Sequence, residues 1–210
     1  MSYHSLRILS LVLSSLALAA THASAALLIS NGGFELPQIA SNSYEYNPED
    51  SYWTFSGMSG INNGNNKGFS ITSRPEGVQN AFLQKLTSIS SISQDITITR
   101  AGTYILSYMV AGRAYYTGAT GGLTYKVKFG DNVIGTDSTV TAQAFTAREY
   151  EFFTDVGTYT LMFETYSATS FDCTSYFDSV SLVPVPEPST WAMLAALPAL
   201  GLALMRRKKA

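Results

Sequence analysis

Beyond residue 22 the chain contains no histidine, since both copies, His4 and His22, stand in its first segment. Nucleophile systems that pass a proton through an imidazole, and zinc or iron sites ligated by one, therefore have no such group in the body of this chain. Carboxylate, lysine, tyrosine and calcium chemistry stay open. Cysteine is almost as scarce: Cys173 stands alone, so no intramolecular disulfide can form. Its neighbours Phe171, Asp172, Thr174 and Ser175 include no cation that would favour a thiolate, and it reads as a small, partly buried hydrophobe, with intermolecular pairing as the other use. Charge is thin. Between residues 26 and 183 eight Lys/Arg stand against fourteen Asp/Glu, a net of −6 without any basic block. Binding to a phosphate backbone lacks its electrostatic footprint, and no nucleic-acid partner is expected.

Two apolar segments do occur, one at each end. Residues 1–25 carry Arg7, an apolar run over 8–20 and the small residues Ala23, Ser24 and Ala25, the three parts of a secretory signal cleaved by signal peptidase after Ala25. At the other end, residues 190–205 would reach about 24 Å as a helix, against a hydrocarbon core of roughly 30 Å. Pro198 weakens that helix further. Arg206, Arg207, Lys208 and Lys209 close the chain and should stay on the cytoplasmic side, leaving everything before Trp191 outside.

Pro186, Glu187 and Pro188, then Ser189, the apolar run and the basic cluster, resemble the PEP-CTERM sorting signal of Gram-negative bacteria that make extracellular polysaccharide. The resemblance implies that residues 184–210 hold the chain transiently in the membrane. An exosortase, a membrane-embedded cysteine protease or transpeptidase, would then process it for the cell surface or extracellular matrix. A plain tail anchor is the other reading.

Residues 26–183 form one domain of ordinary size. Ser, Thr, Tyr, Phe, Ile and Val dominate it, with Gly and Asn between short runs, and no stretch holds a helical apolar period for three turns. Strands are expected at 26–29, 53–55, 68–72, 80–86, 89–98, 103–110, 123–129, 132–136, 148–153, 158–165 and 177–183. Tyr104, Leu106, Tyr108 and Val110 share one face of theirs, and Gly130-Asp131 suits a tight hairpin turn. Gly102-Thr103-Tyr104-Ile105-Leu106-Ser107-Tyr108 is echoed by Gly157-Thr158-Tyr159-Thr160-Leu161-Met162-Phe163, two core strands with the same packing pattern. The expected fold is an all-β jelly-roll sandwich.

Asn31-Gly32-Gly33-Phe34-Glu35 near the start and Tyr176-Phe177-Asp178-Ser179-Val180-Ser181-Leu182 at the end resemble the opening and closing signatures of galactose-binding-like jelly rolls, which include many carbohydrate-binding modules. Asn80-Ala81-Phe82-Leu83-Gln84 and Ile92-Ser93-Gln94 resemble the same group. The resemblance implies a structural calcium held by Glu35 and Asp178; a hard cation takes such oxygen ligands.

For sugar recognition, an aromatic ring beside side-chain amides and charges is the pattern to seek. Arg113, Tyr115 and Tyr116, in the Gly-flanked stretch 112–118, are candidates, as is Trp53, although its alternation with Phe55 also suits a core. Asn62 to Lys67 reads as a solvated loop. Glu149 and Glu151 share a strand face, the only visible pairing for a carboxylate glycosidase. The expected function is non-catalytic binding of extracellular polysaccharide, with a structural matrix or coat protein as the alternative.

Overall fold

The computed structural model describes residues 28–64, 68–69, 71, 73–85, 88–114, 119–121, 123–140, 144–166 and 172–185. Among them the elements are all strands: β1 (Ser43–Tyr46), β2 (Thr54–Ser56), β3 (Ser59–Asn63), β4 (Gln79–Lys85), β5 (Ser91–Ile98), β6 (Gly102–Gly112), β7 (Ala119–Gly121), β8 (Thr124–Phe129), β9 (Asn132–Ser138), β10 (Thr146–Thr154), β11 (Gly157–Thr165) and β12 (Asp172–Pro184). One sheet runs β1-β3-β4-β12-β6-β10, with β7 pairing β12, and the other runs β2-β5-β11-β8-β9. Apart from the parallel β7–β12 contact, neighbours pair antiparallel. The domain is the expected jelly-roll sandwich.

Alternation explains the layers. In β6, Tyr104, Leu106, Tyr108 and Val110 are all buried, because a period of two turns every second side chain inward. The echoed strand β11 does the same with Leu161 and Phe163, from the opposite sheet. Tyr108 and Phe163, which end the two echoes, meet at 5.0 Å edge to face. Phe177 packs 4.8 Å from Phe163 and 5.0 Å from Tyr125, and burial of each such ring stabilises the domain by roughly 1.5–3 kcal/mol. Cys173 lies in this core. The hairpin of β8 and β9 turns at Gly130-Asp131, where Phe129 faces Asn132 and Gly130 takes a φ of 58° that a side chain would oppose.

Several expectations shift. Leu28 and Ile29 are not in a strand, and neither are Gly68 and Phe69; the β-branched and aromatic residues there serve as packing cover rather than as a ladder. Asn62 and Asn63, expected in a solvated loop, are buried in β3. Strand β3 was hidden by its Gly and Asn content, since such residues usually punctuate. Gly60 is needed there because a Cβ would fall 1.9 Å from the Glu45 carbonyl oxygen, so only glycine lets β1 close against β3.

The central strand β12 carries the irregularity that shapes one end of the sheet. Its register against β6 shifts between Asp178 and Ser181, and Ser179 adopts a φ of 52°. The Val180 amide then donates to the Gly32 carbonyl at 2.9 Å. A bulge of this kind re-aims the side chains beside it, and here it ties the closing strand to the opening Asn31-Gly32-Gly33 turn.

Candidate functional site

Register places three rows of side chains across the outer face of the larger sheet. Tyr46, Gly60, Phe82, Tyr176 and Ala111 face one another in sequence along β1, β3, β4, β12 and β6. Tyr44, Asn62 and Asn80 form the next row, which Asp178 continues on β12 opposite Met109. On the other side of the aromatic row Gln84 faces Thr174, whose carbonyl accepts the Arg113 amide at 3.1 Å. An outward sheet face is ordinarily wet. Across β3, β4 and the facing part of β12 this one is buried, while Tyr44 and Tyr46 on the β1 edge are 46% and 37% exposed.

The segment between β3 and β4 supplies the cover. Phe69 packs on Phe82 at 4.2 Å and on Tyr44 at 4.7 Å. Arg74 donates from Nε to Asn80 Oδ1 at 3.1 Å and from Nη2 to the Gly64 carbonyl at 2.6 Å. These contacts leave the tyrosine pair of the edge strand as the open border of an aromatic patch. Tyr46 stands edge-on to Phe82 at 5.1 Å, and the two tyrosines meet at 5.8 Å.

A polar chain runs inward from that border. The Tyr46 hydroxyl donates to Gln84 Oε1 at 2.5 Å, and Gln84 Nε2 donates to Asp172 Oδ1 at 2.6 Å. Asp172 Oδ2 lies 2.6 Å from Arg113 Nη2. The Arg113 guanidinium sits 5.9 Å over the Phe69 ring and also donates to the Gly68 carbonyl at 3.3 Å. Burial, with the Tyr44 and Asp172 charges behind it, raises the Tyr46 hydroxyl above its ordinary pKa. Three buried atoms of this face, Arg113 Nε, Thr174 Oγ1 and Tyr176 OH, have no hydrogen-bond partner among the described residues. Each such atom costs about 1–3 kcal/mol. Their gathering at one place marks it as a polar site with unfilled bonding capacity.

Arg113, a candidate from its Gly-flanked stretch, is thus part of this face, as a buried member of it. Tyr115 and Tyr116 lie outside the described residues, as do Ala23, Ala25, Pro186, Glu187, Pro188 and the terminal apolar segments. Among the described residues no helix is long and apolar enough to cross a membrane. Trp53 is not a sugar platform. It is 4% exposed, packs against Phe34 at 5.0 Å and Phe163 at 6.4 Å, and donates from Nε1 to the Asn31 carbonyl at 3.0 Å. Its ring is taken up by the core. Glu149 and Glu151 are exposed on the edge strand β10, which turns Tyr150 and Phe152 toward the core instead.

Glu35 and Asp178 grip one segment from two sides. Glu35 Oε1 accepts the Val78 and Gln79 amides at 2.9 and 2.8 Å, while Asp178 accepts the Glu76 amide at 3.3 Å and the Ser179 amide at 2.7 Å. A Cβ on Gly33 would fall 2.7 Å from the Glu76 carboxylate carbon, and one on Gly77 would fall 2.1 Å from Glu35 Oε1, so both glycines make room for acids. Asp178 is fully buried. Burial pushes its carboxyl up to about 7, with the Glu76 and Glu35 charges adding to the rise and the two backbone donors opposing it. The oxygen-rich set matches the chemistry of a hard cation. Among the described residues, however, no three His, Cys, Asp or Glu side chains gather closely enough to hold a metal by themselves, so backbone carbonyls would have to complete the shell.

A family model described as a protein of unknown function, DUF642, matches residues 27–182. No curated protein matches the sequence. In fold, the chain is similar to an arabinose-bound α-L-arabinofuranosidase, MgGH51, at a TM-score of 0.51 and 14% identity, covering 76% of this chain and 26% of that one. It is also similar to TmCBM61 in complex with β-1,4-galactotriose, at 0.49 and 15% identity over 77% of this chain and 100% of that one. The CBM22-1 xylan-binding domain of Paenibacillus barcinonensis Xyn10C aligns at 0.46 and 13% identity, over 78% of this chain and 97% of that one.

Proposed function

This chain belongs to the DUF642 family, and from that starting point we propose that it is an exported protein that binds polysaccharide without cleaving it, across the outer face of its seven-stranded sheet. The observation that carries the reading is the exposed Tyr44–Tyr46 pair at the border of a face holding three unpartnered polar atoms. A pyranose offers an apolar face to a ring and hydroxyls to its surroundings. Tyr44 and Tyr46 supply the rings, while Gln84, Asp172 and Arg113 supply amide, acceptor and donor beside them. A few placed polar groups among aromatics are the usual furniture of such sites.

Catalysis would need an acid and a base on opposite sides of one bond. Glu149 and Glu151 stand exposed side by side on β10, at the opposite edge of the same sheet from Tyr44 and Tyr46, rather than facing each other across a bond, which favours binding over hydrolysis. Destination is read from sequence alone: signal peptidase would act after Ala25, and an exosortase would recognise Pro186, Glu187 and Pro188 before release to the surface or matrix. A structural calcium between Glu35, Asp178 and neighbouring carbonyls would fix the 76–79 segment.

Retardation in native gels containing soluble arabinan, β-1,4-galactan or xylan tests the binding reading. The protein should be slowed by at least one of them, and Tyr44→Ala with Tyr46→Ala should weaken that retardation at least tenfold. Equal retardation of the double variant, or none for the wild type with any polysaccharide tried, would overturn it.

A further inference from the structure

On the far side of the sandwich, at the edge where β2 meets β5, an open pocket of about 370 Å³ is lined by Leu28, Ser30, Tyr52, Thr54, Ser93, Gln94 and Asp95. Its volume falls in the ~300–1,000 Å³ range of small-molecule sites. Thr54 pairs with Ser93 in register, and Asp95 lies two residues further along β5, so hydroxyl, hydroxyl and carboxylate share the outer face of the five-stranded sheet. Asp95 Oδ1 accepts the Thr160 hydroxyl at 2.6 Å, which fixes the carboxylate in place.

Tyr52 is the unusual member. Among the described residues seven non-glycine residues have positive φ, and five of them are small and polar, four Asn or Asp, which tolerate that region, and Ser179; Phe34 and Tyr52 are the bulky exceptions. Phe34 offsets its strain by complete burial of its ring. Tyr52, at a φ of 65°, does not, because the residue is 64% exposed.

The backbone around it is nonetheless held hard. Gln94 Nε2 donates to the Ser30 and Tyr52 carbonyls at 2.9 and 3.0 Å, and Gln94 Oε1 accepts the Ser30 amide at 2.9 Å. Ser51 Oγ accepts the Trp53 amide at 3.1 Å, and Asn31 Nδ2 donates to the Ser51 carbonyl at 2.8 Å. A frame that rigid spends its bonds on presenting an aromatic ring to solvent beside a polar hollow, a strained arrangement of the kind found at ligand clamps.

We infer that this pocket is a second saccharide site, which takes a single neutral sugar or the terminal residue of a glycan against the Tyr52 ring. Ser30, Thr54 and Ser93 present hydroxyls, Asp95 accepts from sugar hydroxyls, and the lone carboxylate, with no cation among the described lining residues, turns anions away. The inference stands on the pocket itself and not on the reading of the tyrosine pair across the molecule. Two sites on opposite faces would let one molecule bridge two glycan chains.

The test is saturation-transfer NMR on the full chain with galactose, glucose, arabinose and xylose as separate probes. At least one should receive transfer from the wild type. That signal should fall at least fivefold in Tyr52→Ala and in Asp95→Ala, persist in Tyr52→Phe, and persist in the Tyr44→Ala, Tyr46→Ala protein. Tyr52→Gly separates site from scaffold: relief of the backbone strain should leave its melting temperature at or above that of the wild type while the transfer disappears. Transfer from none of the four sugars, or transfer that survives loss of the Tyr52 ring, overturns the inference. Gel retardation by polysaccharide that is lost only with Tyr44 and Tyr46 would leave the face reading standing when this one fails, and the reverse outcome would do the opposite.

Discussion

Arg113 Nη2 and Asp172 Oδ2 lie 2.6 Å apart with the arginine side chain 4% exposed and the aspartate 31%, an ion pair that closes one end of the outer sheet face. Because Gln84 and Tyr46 extend from the same carboxylate, the pair links the buried part of the face to its exposed border.

Asp172→Ala should therefore destabilise the domain by about 2–3 kcal/mol, below the full penalty for breaking a buried pair because water reaches the aspartate. Urea denaturation measures it. The double replacement Arg113→Met with Asp172→Leu should recover much of that loss, since a buried charge pair exchanged for apolar packing is often nearly neutral. A single variant as stable as the wild type would show that Arg113 needs no partner.

Burial raises the Tyr108 and Tyr125 hydroxyls well above the ordinary tyrosine range. They lie 3.1 Å apart, and Tyr125 also donates to Asp137 at 3.1 Å, which Arg148 holds from the other side. Raised folded-state values mean that the neutral hydroxyls contribute stability in full below about pH 10, the value at which tyrosines of the unfolded chain ionise. That contribution is lost as pH climbs toward the folded-state values. Alkaline titration should show constant stability up to about pH 9 and a decline beyond pH 10. The tyrosinate absorbance of the buried pair should rise together with loss of the sheet signal. Ionisation of all thirteen tyrosines with the fold intact would count against it.

How far the sequence could be read depends on the residue types at each place. Alternation of large apolar residues marked β6 and β11 and put their Tyr, Leu and aromatic positions in the core, because period two leaves only one face for them. Strands β1 and β3 carry weak sequence signals, since SYEY alternates only two tyrosines over four residues and SGINN has a single large apolar residue, and both owe their place to the outer cover. For the same reason the sheet face was illegible: Tyr44, Gln84 and Asp172 are separated by long stretches of chain, and only register brings them together. Arg113 was singled out for its Gly-flanked position and does belong to that face, whereas Trp53 was drawn into the core by Phe34 and Phe163. Tyr52 had a usable signal, an aromatic next to Asp50, Ser51 and a buried Trp in a stretch rich in turn formers.

Calcium should raise the melting temperature relative to a chelator control if Glu35 and Asp178 share a cation. Glu35→Gln is the discriminating variant. Its amide oxygen can still accept the Val78 and Gln79 amides, so chelated stability should change little, while the calcium-dependent rise should shrink or vanish because a charged ligand is gone. A wild-type melting curve identical in calcium and chelator would leave the two carboxylates as clamps on the 76–79 backbone alone.

The C-terminal segment should be removed from the mature protein, and the chemistry of the tail says why that outcome separates two destinations. An apolar stretch of about 24 Å under a roughly 30 Å core is a poor permanent anchor, and Pro198 within it weakens the helix that would have to bear the load. In the proposed sorting, the four terminal cations would hold it at the inner surface long enough for a membrane enzyme to act, and Pro186-Glu187-Pro188 would stand just outside, where a recognition motif is reachable. Replacement of those three residues by Ala alters neither hydrophobic length nor charge at the inner end, so a plain anchor would behave as before. A sorting signal would instead leave the chain unprocessed in the membrane fraction. Mass spectrometry of the mature C-terminus, wild type against the triple variant, reads the difference directly, and a wild-type chain recovered with Arg206 through Lys209 intact would make the tail an ordinary anchor.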